Sequence, residues 1–339
     1  MAEPARKTTA EVRQLSKDAK FDTIGVVMAS TQRRDKKGSP YWTITVMDET
    51  GSLEGRVWSN GVWKDVRDGG STDVDPLTSD LAKGMNGRSL GLRGQVSEFN
   101  DKLQYNFNIV YFVDQEKYPP HQFVQRSPIP VETLLQGLDE ILGRCGELEA
   151  FVRSVLESDG IRRNFESFPA AVSHHHAYTA GLLEHTISVA RAAVAMADAS
   201  IASGYPVDRG IVAAGALLHD LGKLDAYRLS PMPQMTVPGT VIDHVALGYA
   251  RFDRLAETFG LEERLRLALG HILISHHGSK EFGSPALPAT PEAMIVSSAD
   301  ELDFRLYCWK NAVDQLDDDS DGITDFSYSA GRRFWKWRE

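Results

Sequence analysis

The chain has 339 residues, 42% of them hydrophobic and 25% charged, which is the composition of an ordinary globular protein with room for two domains. Its apolar runs are too short for a membrane helix of ~20 residues, and the polar N-terminus lacks the apolar core of a secretory signal. Residues 126–339 account for the whole formal net charge of −10, with 20 basic and 30 acidic side chains. This charge is weak evidence against nucleic-acid binding, and it predicts a narrow binding track rather than a broad basic face.

After an N-terminal tail (1–19), residues 20–115 alternate in hydrophobicity as strands do. The predicted strands are 21–30, 41–48, 52–58, 88–99 and 102–113. Hairpin turns are expected at 48–51 and at Asn100–Asp101, and residues 61–86 are expected to form a long irregular insertion. Five short strands in succession predict a small closed or nearly closed β-barrel.

A proline-containing linker (116–130) separates this region from an all-α domain over residues 131–313. The domain shows helical spacing of apolar residues in seven stretches, which predicts six or seven helices. These stretches are 131–143, 146–158, 178–203, 208–220, 241–259, 261–275 and 291–312. A C-terminal tail (314–339) combines an acidic run with an aromatic and basic end.

Seven histidine and aspartate residues stand out in the helical domain, on or beside predicted helices. They are His185, His219, Asp220, His244, His276, His277 and Asp300. Any one of these histidines is more often a buried structural residue than a ligand, but the ordered set favours a metal site. Imidazole and carboxylate together suit Mn, Fe, Co, Ni or Zn. A carboxylate can bridge two ions, and two close ions can clamp a phosphodiester and generate a hydroxide nucleophile.

The local sequence around these residues resembles the HD-domain phosphohydrolases. The matching segments are HHAYTAGLLEHTISVA (175–190), LLHDLGK (217–223), ISHHG (274–278) and ADELDFR (299–305). With the N-terminal barrel, the chain resembles the YhaM-type 3′-5′ exoribonucleases, which pair an OB-fold with an HD domain. The resemblance implies hydrolysis of single-stranded RNA, and leaves single-stranded DNA open, through two divalent ions with Mn²⁺ favoured over Fe, Co, Ni or Zn.

The resemblance also implies roles for individual residues. The first ion would be held by His185, His219, Asp220 and Asp300. The second would share Asp220 and use His244, His276 and His277.

Other residues are expected around these ligands. Lys223 is expected to contact phosphate and act with Asp220 in catalysis, although a solvated lysine at a helix end fits the sequence equally well. His176 and Tyr178 are expected on the substrate side, with a packing role as the alternative. His271 and Asp303 are expected to support the ligands, and a purely structural role is open for His271.

On the barrel, strand alternation predicts which side chains point outward. Candidates for base stacking and backbone contact are Tyr41, Arg56, Trp58 and Arg93. In the last strand, Leu103, Tyr105, Phe107 and Ile109 are expected inside. An exposed aromatic side chain on a small barrel can instead serve a domain contact.

Two other functions remain open from the sequence. One is a phosphohydrolase acting on small nucleotides, with the barrel as a regulatory or oligomerising module. The other is a non-catalytic factor that binds single-stranded nucleic acid. The only two cysteines, Cys145 and Cys308, are far apart in the sequence, which favours a cytoplasmic location. The sequence leaves open whether the chain forms a homo-oligomer.

Overall fold

The computed structural model describes residues 6–99, 102–171, 176–229, 233–314, 316 and 321–337. The chain divides into two compact units, one built from the first 126 residues and one from residue 127 onward. No helix in the described ranges is long and apolar enough to cross a membrane. The domain boundaries expected from the sequence stay predictions.

The first unit contains a closed five-stranded barrel. Its elements are α1 (Thr9–Arg13), β1 (Lys20–Arg34), β2 (Pro40–Asp48), β3 (Gly51–Val57), β4 (Val62–Asp65), β5 (Thr72–Asp73), α2 (Asp80–Lys83), β6 (Ser89–Phe99) and β7 (Lys102–Phe112). Strand β1 pairs antiparallel with β2 and β6, β2 with β3, and β6 with β7, while a parallel pairing of β3 with β7 closes the ring. This strand order is that of an OB-fold, so the expected barrel is confirmed.

Alternate apolar side chains of the barrel strands form its core, and two glycines make room for aromatic rings there. A Cβ on Gly55 would lie 2.4 Å from the ring of Phe107, and one on Gly94 would lie 2.5 Å from the ring of Phe21. Larger residues at either glycine would therefore displace a ring from the centre of the barrel.

The segment 61–86 is more ordered than the sequence indicates. It holds β4, β5 and α2, and β4 extends the sheet by pairing in parallel with β7. Trp63 of β4 is buried, with its ring centroid 5.3 Å from that of Trp42 and 6.0 Å from that of Phe112. The prediction of an irregular insertion is wrong because Trp63, Ala82 and Met85 are buried in the barrel core and anchor the segment.

The inward face predicted for the last barrel strand is also wrong in part. Arg93 pairs with Ile109 and Gly94 with Phe107, so Asn108 is an extra residue in a β-bulge. Beyond the bulge the alternation is reversed, so Val110 is buried and Ile109 is only half-buried. Leu103, at the opposite end of the strand, is exposed as well. The expected turn at Asn100–Asp101 lies outside the described residues.

The second unit is helical, as predicted. Its elements are α3 (Val131–Leu142), α4 (Glu149–Glu157), α5 (Ile161–Ser167), α6 (Gly181–Ala202), α7 (Arg209–Leu218), α8 (Lys223–Ala226), β8 (Tyr227–Leu229), β9 (Pro233–Met235), α9 (Val237–Val241), α10 (His244–Phe259), α11 (Glu263–Ser275) and α12 (Pro291–Val313). The short elements α5, α8, α9 and the β8–β9 hairpin are those that the sequence pattern does not predict.

Helix α7 is the central helix of this unit. Asp208 caps its N-terminus by accepting a hydrogen bond from the amide of Ile211 (3.1 Å), and every residue of 211–218 is buried. A helix that is apolar on all sides must be surrounded by others. The polar residues that follow it, His219 and Asp220, are consequently placed deep inside the unit.

Candidate metal centre

Five helices bring the seven predicted ligand residues together. His185 lies on α6, His219 and Asp220 directly follow α7, His244 begins α10, His276 and His277 directly follow α11, and Asp300 lies on α12. Four of them, His185, His219, Asp220 and His276, are at most 2% exposed. The set thus converges in the interior of the helical unit.

One group of ligand atoms surrounds the Nε2 atom of His185. This nitrogen lies 3.1 Å from Asp220 Oδ2 and 3.3 Å from Asp300 Oδ1. The Nε2 atom of His219 lies 3.2 Å from that of His185 and 3.3 Å from Asp220 Oδ2. Two imidazoles and two carboxylates therefore direct ligand atoms toward one point.

A second group lies on the other side of Asp220. His244 Nε2 and His276 Nε2 are 3.6 Å and 3.7 Å from Asp220 Oδ1, the oxygen that the first group does not use. His277 Nε2 is 3.1 Å from His244 Nε2. Each carboxylate oxygen of Asp220 therefore faces a different group of potential ligand atoms.

In four of these imidazole rings, the nitrogen that points away from the ligand groups is hydrogen-bonded. His219 Nδ1 donates to the carbonyl of Ala216 and His276 Nδ1 to that of Leu273, both at 2.8 Å. His185 Nδ1 lies 2.8 Å from Asp303 Oδ2, and His244 Nδ1 lies 2.9 Å from Asp243 Oδ1. Such bonds fix the tautomer and ring orientation, so each Nε2 lone pair is turned to the centre.

Asp243 holds its place at some cost to the backbone. Its φ of 77° lies in the left-handed region, which is unfavourable for an aspartate. Its Oδ1 also accepts a hydrogen bond from the amide of Val245 (3.0 Å), capping α10. The same carboxylate therefore starts the helix and orients the ring of His244.

The buried polar atoms at the centre fit a divalent cation. Asp220 Oδ1 and His276 Nε2 are buried and have no hydrogen-bond partner among the described residues, whereas Asp220 Oδ2 lies 2.5 Å from Lys223 Nζ. Buried polar groups without partners are costly and usually indicate an ion or a water. A set of imidazole nitrogens and carboxylate oxygens is that preferred by divalent transition metals.

The protonation equilibria favour cation binding. Burial opposes ionisation of Asp220, but the charges of Lys223 and His219 hold its pKa well below the ordinary value. Burial raises the pKa of Asp300 as well, yet hydrogen bonds with His185 and His277 lower it further than burial raises it. Burial, then repulsion from His277 and His219, lowers the pKa of His276. Two ionised carboxylates and a neutral imidazole are the forms that bind metal.

His185 behaves differently in the protein alone. Burial lowers its pKa, but hydrogen bonds with Asp220, Asp300 and then Asp303 raise it well above the ordinary value. A proton on Nε2 therefore competes with a metal, and binding of a metal would release it.

Lys223 is buried at the same place, with 5% exposure, and its Nζ lies 2.5 Å from Asp220 Oδ2. Burial lowers the pKa of this amine, but attraction to Asp220 raises it above its ordinary value. The alternative of a solvated lysine at a helix end is wrong, because the turn after α7 directs the side chain inward.

His176 and Tyr178 lie behind His185, on the side of Asp303. His176 Nε2 is 3.1 Å from Asp303 Oδ2, and its Nδ1 is 2.6 Å from the hydroxyl of Tyr178. That hydroxyl donates to Glu184 Oε2 at 2.9 Å. The substrate-side position expected for His176 and Tyr178 stays a prediction, since the contacts are those of supporting residues.

The sequence reasoning missed Glu184, although it directly precedes His185 on α6. The sequence reasoning also missed Tyr227, which lies near Lys223. Burial raises the pKa of Tyr227 more than the positive charge of Lys223 lowers it. His271, expected beside the ligands, accepts a hydrogen bond from the amide of Ala289 at 2.9 Å. This bond anchors the segment leading into α12, so His271 supports backbone rather than a ligand.

On the barrel, three of the four outward candidates form one cluster. The rings of Tyr41 and Trp58 are 5.0 Å apart at 33°, and the guanidinium of Arg56 lies 5.8 Å from the ring of Trp58. Trp58 Nε1 donates to Asn106 Oδ1 at 2.8 Å, which fixes the indole. Arg93 is not part of this cluster, since it forms two hydrogen bonds with Asp22 (2.7 and 2.9 Å).

Comparison with known proteins identifies the helical unit. The family model described as "HD domain" matches residues 182–305, a range that includes all seven ligand candidates. The helical unit carries an HD domain. Over a larger range, the chain is 27% identical over 301 residues to the 3′-5′ exoribonuclease YhaM of Bacillus subtilis (strain 168), which covers 87% of this chain and 88% of that protein.

A second relative is the 3′-5′ exoribonuclease YhaM of Listeria monocytogenes serotype 4b (strain F2365), 26% identical over 289 residues, 84% of this chain and 85% of that protein. The predicted resemblance to YhaM-type proteins is confirmed. Among solved structures, the second OB-fold domain of replication protein A from Methanococcus maripaludis covers 29% of this chain and 88% of that chain, with 16% identity and a TM-score of 0.19. The assignment of the barrel rests on its own strand order.

Proposed function

We propose that this HD-domain protein is a metal-dependent 3′-5′ exonuclease that hydrolyses single-stranded RNA, and that it acts through two divalent ions. The observation that carries the proposal is the position of Asp220, whose two oxygens face two separate groups of ligands. The relatives that the chain matches over most of their length are named 3′-5′ exoribonucleases.

Two ions, for which Mn²⁺ is our first choice, would polarise the phosphodiester and supply a hydroxide nucleophile when bound. His185, His219, Asp220 and Asp300 would hold the first, and Asp220, His244, His276 and His277 the second. Lys223 supplies a positive charge beside Asp220 in a place from which water is largely excluded. A preorganised cation there stabilises negative charge as it develops on the phosphoryl oxygens.

The barrel would bind the RNA. Tyr41 and Trp58 offer stacked rings to the bases, and Arg56 offers a charge to the backbone. Since the helical half carries the whole net charge of −10, a neutral barrel with an aromatic cluster is the better binding surface. Both cysteines are unpaired and buried, which fits the cytoplasmic location that we propose.

A second candidate function is hydrolysis of small nucleotides by the HD domain alone. The acidic character of the helical half favours it, because that half offers few cations to a long polyanion. The same seven residues would serve that reaction, so the two proposals differ only in substrate.

The test uses the full chain, Mn²⁺ and single-stranded RNA labelled at its 5′ end, either free or blocked at its 3′ hydroxyl. A descending ladder from the free RNA and resistance of the blocked RNA are expected. Cleavage of mononucleotides alone would support the second candidate, and cuts in circular RNA would refute an exonuclease.

The variant Asp220→Asn keeps the shape of the side chain but removes the bridging charge. We expect loss of hydrolysis and of most bound metal, measured by elemental analysis. Asp253→Asn is the matched control, since Asp253 pairs with Arg266 at the surface. A single ion per chain that survives Asp220→Asn would refute the two-metal proposal.

A further inference from the structure

The end of the chain forms a small hairpin on the helical unit, which we call the C-terminal hairpin (residues 321–337). Backbone hydrogen bonds join its two sides: Thr324 N to Phe334 O and Lys336 N to Gly322 O, both at 2.9 Å. The indole of Trp309 on α12 donates to the carbonyl of Trp335 (3.2 Å). The hairpin is thus a defined element held on α12.

One face of this hairpin carries large aromatic side chains in solvent. Arg333, Trp335 and Trp337 alternate along the second side and therefore share a face. Trp335 is 54% exposed and Trp337 is 80% exposed, with ring centroids 4.9 Å apart at 33°. Burying a tryptophan stabilises a protein strongly, so two adjacent exposed ones indicate a surface that another molecule covers.

The charge of the hairpin is opposite to that of the rest of its unit. Its residues 321–337 contain three basic residues, Arg332, Arg333 and Lys336, against Asp321 and Asp325, and its second half (326–337) has no acidic residue. Residues 126–339 as a whole carry 20 basic and 30 acidic side chains. No ion pair joins these three cations to a carboxylate in the part of the chain that the structure describes. Positive charge beside exposed rings suits a ligand with negative charge and flat apolar faces.

We propose that the C-terminal hairpin is a second binding site for single-stranded nucleic acid. Bases would stack on Trp337 and Trp335, while Arg333, Lys336 and Arg332 contact phosphates. The site goes beyond the proposed hydrolysis, because binding here requires neither metal nor cleavage. It would hold a strand at an HD domain that is otherwise acidic.

A second copy of this chain is the less suitable partner for the same surface. A two-fold interface brings identical patches together, so three cations of each hairpin would meet three of the other. A polyanion is attracted by the same charges, and salt would weaken that attraction.

The test is fluorescence anisotropy of an end-labelled oligouridine of about 16 nucleotides, the largest site size of an OB-fold. The full chain is kept in excess EDTA, so hydrolysis plays no part in the result. The variants are Trp337→Ala and Arg333→Ala, with Tyr205→Ala as control because Tyr205 is a 65% exposed aromatic residue outside the hairpin. Circular dichroism and thermal unfolding check that each variant is folded.

Loss of one stacked base is expected to raise Kd about 5- to 150-fold in Trp337→Ala. Arg333→Ala should reduce the slope of log K against log salt by about 0.7, the value for one contact with a single-stranded backbone. Tyr205→Ala should match the unaltered protein. Unchanged Kd and slope in both hairpin variants would overturn the proposal, as would an equal loss in Tyr205→Ala. Reduced self-association in sedimentation with an unchanged Kd would overturn it in favour of a protein interface.

Discussion

The buried pair of Lys223 and Asp220 gives the sharpest test of the site. In Lys223→Met the carboxylate of Asp220 keeps its place but loses its counter-ion. The residues are 5% and 1% exposed, with the Nζ and Oδ2 atoms 2.5 Å apart, so water does little to compensate. Removing one partner of a buried ion pair costs about 3–5 kcal/mol.

The cost should depend on metal. In EDTA, Lys223→Met should lower the free energy of unfolding by about 3–5 kcal/mol. With saturating Mn²⁺ the loss should be less than half of that, because the ions then neutralise Asp220. Hydrolysis of RNA should fall about 10²- to 10³-fold in kcat even when the protein is fully loaded, the loss expected for one preorganised charge-stabilising donor.

Urea unfolding with and without metal, followed by single-turnover hydrolysis, measures both effects. Lys310→Met is the control, since Lys310 forms a surface pair with Asp314 and its side chain is 68% exposed. That pair should contribute at most about 1 kcal/mol in either condition. An equal loss of stability with and without Mn²⁺ would refute the idea that metal and lysine share one carboxylate. An unchanged kcat would remove Lys223 from the chemistry.

Three further predictions concern other parts of the molecule. Asp303→Asn weakens the hydrogen bond to His185 Nδ1 (2.8 Å) and should lower metal affinity about 10- to 100-fold. A competition titration measures this affinity, which the control Asp253→Asn should leave unchanged. Trp58→Ala should raise KM for single-stranded RNA by the equivalent of ~1–3 kcal/mol and leave kcat unchanged, so a fall in kcat alone would refute a stacking role. Burial, and then the charge of Glu149, raises the pKa of the Cys145 thiol to about 12. The stability that the thiol contributes is therefore full below pH 9 and lost between pH 9 and about 12, and at pH 8 Cys145 should resist iodoacetamide until urea unfolds the protein.

The sequence predicts the helical unit well because its signals are local and periodic. Helices such as α6 and α12 are long, and their apolar spacing repeats over several turns. The ligand residues are recognisable because each lies on a long helix or directly follows one. Which oxygen of Asp220 faces which histidines depends on how five helices pack, and no local pattern contains that information.

The errors on the barrel have a different origin. One extra residue, Asn108, changes the inward face of β7, and a bulge leaves no mark in residue composition. Trp63 anchors a polar segment by contacts with Trp42 and Phe112, which are distant in sequence. The sequence likewise does not predict which way the Lys223 side chain points, because that depends on the tight turn that follows α7.

The places where α7 and α11 end have an electrostatic consequence. His219 and His276 each follow the last residue of a helix and bond to a carbonyl of its final turn, Ala216 O and Leu273 O. The C-terminus of a helix carries a partial negative charge of about half an electron, so two helix dipoles direct their negative ends at the same point. Together with the ionised Asp220 and Asp300, they attract a cation and repel a bare phosphate. Lys223 and a protonated His185 offset part of this negative charge. We therefore expect metal to bind first, so that nucleic acid meets a centre whose remaining negative charge the metal has cancelled.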